Sequence, residues 1–267
     1  MTLAQMVLIF VAALLAGAQN SVAGGGSFIL FPVLLAAGLP NIVNNIAPSV
    51  IANTTNTVAV WPGSLASVVA YRAELRQTRQ NLVGLILASL AGGLIGAVLL
   101  LGTSNATFNA LLPFLMLIAT LLFAFGNRLS KAARAHTSTL KLPPWSLTAL
   151  IILMQFITAI YGGFFGAGIG IVMLAVLAVW GMTEIHEMNG IKTLLASCIN
   201  GVAVLYFVIR GQVAFPDVLV MIVGAVIGGY FGARLARQVN PLRVRQFITG
   251  VAVLLTIYFF AHAYLGV

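Results

Sequence analysis

A pattern of glycines and asparagines occurs twice in this chain, at a constant separation of 144 residues. Gly24-Gly25-Gly26 leads to Asn45 and then to Asn56-Thr57-Val58-Ala59-Val60. Gly168-Ile169-Gly170 leads to Asn189 and then to Asn200-Gly201-Val202-Ala203-Val204. Over residues 24–60, Gly24, Gly26, Leu30, Asn45, Ala52, Asn56, Val58, Ala59 and Val60 are identical in both copies. Apolar identities arise easily in a greasy sequence. Two glycines and two asparagines in register do not. Duplicated apolar units with glycine-rich interruptions are a construction of membrane transport folds.

The rest of the chain fits that construction. Charged residues make up 6% and hydrophobic ones 61%, whereas a soluble domain carries about 25% charged residues. Such an inventory cannot build a water-soluble surface, so the expected class is an all-α polytopic membrane protein forming a single membrane domain over 1–267. Met1 to Ala23 is apolar without a basic leader and reads as a first membrane helix rather than a cleaved signal. The single cysteine, Cys198, excludes an internal disulfide or a cysteine metal cluster and reads as a small residue within a helix. The net charge of +9 does not imply nucleic-acid binding. Eleven of the thirteen Lys and Arg residues fall in three clusters: Arg72, Arg76 and Arg79; Arg128, Lys131, Arg134 and Lys141; Arg234, Arg237, Arg243 and Arg245. That clustering is the signature of cytoplasmic loops.

Apolar segments run over 3–23, 27–38, 44–70, 81–101, 107–127, 145–166, 169–180, 188–210, 217–236 and 244–265. Most reach the ~20 residues a membrane span requires. Segments 27–38 and 169–180 are shorter and occupy matching places in the two copies, which makes them the expected broken or re-entrant helices of a transporter site. With all three basic clusters inside, the copies become two inverted repeats of about five elements each. Repeat one covers 1–127, a basic cytoplasmic linker 128–144, and repeat two 145–267. Both termini then face the outer side of a bacterial cytoplasmic (inner) membrane. Merging each short segment with its predecessor gives parallel four-span repeats instead, and forces one basic cluster outside. Gly92-Gly93 with Gly96, and Gly228-Gly229 with Gly232, read as helix-packing faces.

The chemistry-bearing residues are few. The acids are Glu74, Glu184, Glu187 and Asp217, all in or beside loops. A cation pump or proton antiporter usually buries a carboxylate in its pathway, and an enzyme needs a reactive constellation, so both classes are disfavoured. His136 and His262 read as interfacial, and Arg210 as an anchor. Lys192 stands near the start of segment 188–210, where a lysine in hydrocarbon costs ~3 kcal/mol or more. It either snorkels to the interface or supplies a fixed positive charge beside a polar cavity. Asn45, Ser49, Asn53 and Asn56 recur at helical spacing, as do Asn189, Thr193, Ser197 and Asn200. These stripes pair across helices or replace a substrate's hydration shell. Gly24, Gly25, Gly26 and Ser27, and likewise Gly168 and Gly170, precede short helices whose N-terminal N–H groups favour anions, unless they serve close packing alone. Pro32, Pro48 and Pro62 are candidate hinges.

These residues resemble the TauE/SafE sulfite exporter family. The resemblance rests on Gly24-Gly25-Gly26-Ser27-Phe28-Ile29-Leu30-Phe31-Pro32, Ala52-Asn53-Thr54-Thr55-Asn56, Trp61-Pro62-Gly63 and Tyr71-Arg72-Ala73-Glu74-Leu75. In the second half it rests on Asn189-Gly190-Ile191-Lys192 through Asn200-Gly201-Val202-Ala203 and on Gly228-Gly229-Tyr230-Phe231-Gly232-Ala233-Arg234. It implies a secondary transporter, and no enzyme, moving a small anion such as sulfite or an organosulfonate by alternating access. A carboxylate or other small metabolite as cargo, and a non-transporting membrane subunit, remain as alternatives. The expected partners are the small anionic substrate and the lipid bilayer, with no cofactor, metal or nucleic acid. A proton or sodium coupling ion and a homodimer are both compatible with this reading. The second glycine motif, Gly166-Ala167-Gly168-Ile169-Gly170, is not a triple glycine, so the half-sites are expected to contribute unequally.

Overall fold

A computed structural model describes residues 2–22, 24–37, 48–78, 82–139, 143–215, 217–235 and 241–264. Eleven helices follow one another: α1 Leu3–Val22, α2 Ser27–Ala36, α3 Pro48–Ala70, α4 Arg72–Gln77, α5 Val83–Gly102, α6 Asn105–Thr139, α7 Pro144–Phe164, α8 Ile169–Val179, α9 Ile185–Ile209, α10 Asp217–Leu235 and α11 Pro241–Tyr264. No strand occurs among the described residues. Six helices or helix segments are long and apolar enough to cross a membrane: Leu3–Val22, Val83–Gly102, Ala106–Gly126, Trp145–Phe164, Ile185–Ile209 and Val218–Leu235. The protein is an all-helical, polytopic membrane protein. α3 has 23 residues and spans about 34 Å at 1.5 Å per residue; its hydroxyls and amides lower its hydropathy.

The polarity of the molecule is arranged for lipid. Leu87, Leu94 and Val98 of α5, Phe114, Ile118 and Leu121 of α6, and Leu219 and Val223 of α10 are exposed. Asn53, Thr54, Thr55, Asn56, Ser64, Ser67, Asn189, Lys192, Thr193 and Ser197 are buried. The two short segments fold as the short helices α2 and α8, each beginning at a glycine break. One sequence boundary moves. The basic stretch after residue 127 is not a loop, because α6 continues to Thr139. Ala132, Ala133 and Ala135, with intervening Lys and Arg, are strong helix formers. The short helix α4 in the first basic cluster carried no periodic signal and appears only in the structure.

Small residues choose the helix partners. A Cβ at Gly224 would meet Phe10 O at 2.6 Å, one at Gly228 would press on Leu14 O, and one at Gly232 would meet Ala18 Cα at 2.5 Å. α1 and α10 therefore run parallel in near-backbone contact. The same device joins α7 to α5: a Cβ at Gly92 would meet Phe156 O at 2.6 Å, and one at Gly96 would press on Ile160 O. Thus the first helix of each half packs against the penultimate long helix of the other half, and the halves interlock. Pairs at equivalent places in the two halves run antiparallel instead. Trp61 Nε1 of α3 donates to Ser197 O of α9 at 3.0 Å, while Thr54 Oγ1 donates to Gln212 O beyond the end of α9. Thr120 of α6 bonds Thr256 of α11 at 2.9 Å, while Phe114 packs on Phe260.

Candidate substrate cavity at the two helix breaks

The break between α1 and α2 turns on Gly24 and Gly25, at φ of 76° and 87°, where a side chain is strained. Polar residues at the end of α1 knit the turn. Gln19 Nε2 donates to Gly25 O at 2.8 Å, and Gly26 N–H donates to Asn20 Oδ1 at 2.8 Å. The break between α7 and α8 turns on Gly166 and Gly168, at φ of 81° and 79°. There Tyr161 Oη donates to Ala167 O at 2.9 Å. The two breaks meet: a Cβ on Gly24 would lie 2.8 Å from Gly170 Cα. Neither Gly26 nor Gly168, the N-caps of α2 and α8, supplies a side-chain cap. Phe28 N–H and Ile29 N–H bond Gly25 O and Gly26 O at 2.9 and 3.0 Å, and Ile171 N–H bonds Gly168 O at 3.1 Å, so tight i→i+3 bonds take up part of the donor set that a helix start leaves open.

A cavity of about 30 Å³ lies where the breaks meet α3 and α9, room for about two waters. Asn20, Gly24, Gly25, Ser27, Asn56 and Thr57 line it from the first half, with Ser64 and Ser67 further along α3. Gly166, Ile169, Gly170, Lys192, Thr193 and Asn200 line it from the second. No carboxylate is among the lining residues.

Lys192 does not snorkel. It is 1% exposed. Its Nζ donates to Asn189 Oδ1 at 3.0 Å and makes two longer contacts, 3.4 Å each, to Asn20 O and Ser21 O at the C-terminal end of α1. A helix C-terminus carries partial negative charge, so the ammonium is held there without an acidic partner. At 3.4 Å the two carbonyl bonds are long for N–H···O, so the three contacts engage the three N–H donors of the ammonium, two of them weakly.

The expected site residues divide accordingly. Gly24, Gly25, Ser27, Asn56, Gly170, Lys192, Thr193 and Asn200 converge on the cavity. Gly26 and Gly168 cap the short helices behind it. Asn189 orients Lys192, and Ser197 Oγ bonds its own helix at Thr193 O, 2.8 Å away. Asn53 Nδ2 reaches across to Phe164 O at 3.0 Å, and Asn56 Nδ2 holds Ser27 Oγ at 3.0 Å. Asn45 lies outside the described residues. Asn20, Ser64 and Ser67 join the cavity without having been singled out, and Thr57 and Gly166, named only within the sequence motifs, join it too. Ser64 and Ser67 continue the α3 stripe at helical spacing, and a polar Gln19-Asn20 pair at the end of an apolar helix was a signal for the first break. Arg210 is exposed and stacks over Tyr206, 5.5 Å from the ring centre, as an anchor would. His262 stacks on Tyr258, 6.0 Å between ring centres, beside a separate, wider apolar cavity between α2, α6 and α11.

Comparison with known proteins gives the family. The family model for the sulfite exporter TauE/SafE matches residues 9–259. A "Probable membrane transporter protein" of Haemophilus influenzae is 23% identical over 252 residues, covering 94% of this chain and 92% of the relative. "Probable membrane transporter protein ORF9" of a Sinorhizobium species is 27% identical over 255 residues, covering 94% and 91%. "Probable membrane transporter protein YfcA" of Escherichia coli K12 is 26% identical over 252 residues, covering 93% and 87%. No solved structure matches the chain. A broken-helix membrane scaffold, a buried lysine and a family match over nearly the whole length agree: the chain belongs to the TauE/SafE sulfite exporter family, as a membrane transporter and not an enzyme.

Proposed function

We propose that this transporter moves a small oxyanion through the cavity between the two helix breaks. The observation that carries the reading is the buried Lys192 ammonium in a cavity lined by hydroxyls, amides and glycines but no carboxylate. A fixed positive charge in a low-dielectric site attracts an anion and penalises a cation. The uncapped N-termini of α2 and α8 add backbone donors, and Ser27, Thr57, Ser64, Ser67, Thr193 and Asn200 replace hydration. The volume favours a sulfite-sized anion over a bulkier organosulfonate, which needs the cavity to widen.

The packing supports a reading of alternating access. Because α1 is locked to α10 and α7 to α5 by glycine contacts, the moving units are the cross-paired bundles α1–α3–α10 and α7–α9–α5 rather than the sequence halves. The antiparallel course of the equivalent pairs α3–α9 and α6–α11 supports an inverted repeat, since parallel repeats keep equivalent helices parallel. With the basic clusters inside, both termini face outward across the inner membrane. A reporter fused after Val267 that reads cytoplasmic overturns this topology. Sulfite flux into proteoliposomes, compared between wild type and Lys192→Met, tests the site. Flux lowered by about 100-fold is expected from losing a charged hydrogen-bond donor worth up to ~3 kcal/mol. Unchanged flux and affinity refute charge selection. Competition by sulfate and by carboxylates against sulfite separates an oxyanion carrier from a carboxylate carrier.

A further inference from the structure

The two breaks present the same carbonyl to different partners. Asn20 O, at the end of α1, receives the Lys192 ammonium from α9. The residue 144 positions later is Phe164, at the end of α7, and its carbonyl receives the Asn53 amide from α3. Each break is thus clasped by the central helix of the opposite bundle. In the first the clasp brings a full positive charge to a helix C-terminus. In the second it brings a neutral amide, and among the described residues no Lys or Arg hydrogen-bonds the partial negative end of α7.

The second clasp also leaves acceptors over. Asn53 is 2% exposed and Asn56 1%, and the Oδ1 of each is buried without a hydrogen-bond partner. The assignment at Asn53 is fixed by chemistry: Phe164 O only accepts, so the amide nitrogen must face it and the oxygen must face away. Asn53 and Asn56 lie one turn apart on the same face of α3, with Cβ atoms about 5–6 Å apart. A buried acceptor without a donor is costly. Two of them beside a helix C-terminus are the composition of a site for a dehydrated cation.

We propose that Asn53 Oδ1 and Asn56 Oδ1, the unpartnered acceptors one turn apart on α3, bind a monovalent cation of the sodium type, which does in the second half what the Lys192 ammonium does in the first. The ligands select the ion. Amides do not titrate in the physiological range, so the group does not carry a proton as a carboxylate would. Neutral oxygens without a carboxylate are poor ligands for a divalent ion, which draws on charged carboxylates. Position separates it from the lysine. Trp61 sits level with Ser197 and Gly190 with Tyr71, so Lys192 lies near the Ser67 level of α3. That is about 20 Å from Asn53 at 1.5 Å per residue. The site also bridges the moving parts: Asn53 is on α3 and Phe164 on α7, members of opposite bundles, while Asn56 holds Ser27 at the start of α2. A cation seated there favours one relative position of the bundles, which is the requirement for a coupling ion. The coupling role rests on the oxyanion-transport reading; the cation site does not.

Equilibrium binding of ²²Na⁺ to the purified full chain, with choline balancing ionic strength, tests the site. Saturable binding is expected, weakened about tenfold or more by Asn53→Ala. Asn56→Asp keeps the side-chain shape, lets the Ser27 hydroxyl donate in place of the lost amide N–H, and adds a charge, so it is expected to tighten binding by about tenfold. It serves if the alanine variant does not fold. No saturable ²²Na⁺ binding, or an affinity that neither folded variant moves, overturns the proposal. Sulfite binding is measured on the same preparation. Sulfite binding without sodium binding refutes the cation site and leaves the anion reading standing. Sodium binding that responds to Asn53 or Asn56, without sulfite binding, upholds the site and refutes the anion reading.

Discussion

The break before α2 and the break before α8 are built on one backbone plan and finished with different chemistry. Both use left-handed glycines, and both feed a short helix that begins beside the cavity. The first is laced by Gln19, Asn20 and Lys192, and carries a charge. The second is laced by Tyr161 and Asn53, and is neutral. A duplicated scaffold can therefore supply two geometrically related half-sites while evolution of single side chains gives each its own ligand. Pro48 and Lys192 occupy the same place in the two copies, so the second copy brings an amine to the cavity where the first has a proline.

The comparison is broken most severely by reversing the charge. Lys192→Glu places a carboxylate against the carbonyls of Asn20 and Ser21 and should abolish oxyanion flux in proteoliposomes. Retained flux would mean that the first break is not the charged half-site. Next come the glycines. Gly24→Ala combines a positive φ with a backbone clash at Gly170 Cα, and should cost about 2–4 kcal/mol from strain and overpacking. Gly166→Ala shares the positive φ, but its Cβ would meet only Gly162 O, at 3.1 Å, so about 1–2 kcal/mol is expected. Thermal unfolding in detergent should rank Gly24→Ala below Gly166→Ala; equal melting points would show that the breaks are not in backbone contact. The clasps follow. Asn53→Ala strips Phe164 O of its partner and should destabilise by about 1–3 kcal/mol. Ser197→Ala, at the equivalent position, loses only a bond within its own helix and should stay within ~0.5 kcal/mol. Trp61→Phe keeps an aromatic ring but deletes the indole N–H bond to Ser197 O, for about 1 kcal/mol. A melting-point loss larger than that of Asn53→Ala would place the main tie between α3 and α9 at Trp61 rather than at the breaks.

Much of the site was legible because its signals are local. Glycine runs mark places where a helix must stop, and a lysine in an apolar helix is conspicuous at any position. The Asn and Ser stripes declared a shared face through their spacing alone. Other parts were not legible. Asn189 looked like a cavity residue and instead orients Lys192, and Ser197 turns its hydroxyl back onto its own helix. Both outcomes depend on rotamers and neighbours that spacing does not encode. Asn20 escaped notice because a lone amide at a helix end has many uses, and only the position of Gly26 N–H shows which one applies. The basic end of α6 is not legible as helix, because charge clustering reports side of membrane and carries no helical period.

The sequence by itself determined that the chain lives in lipid, where its helices break, and that a lysine stands within one of its apolar segments. Those properties follow from composition and from residues acting on their own backbone. Only the tertiary structure decided which helices pair. Among equally apolar helices, hydrophobicity does not distinguish partners in a membrane. The choice falls to small-residue surfaces that fit only one neighbour, as Gly228 fits Leu14 and Gly96 fits Ile160. That choice crosses the halves, brings Gly24 against Gly170, and carries Lys192 to the end of α1, where a charge that is merely costly in hydrocarbon becomes the positive pole of a cavity.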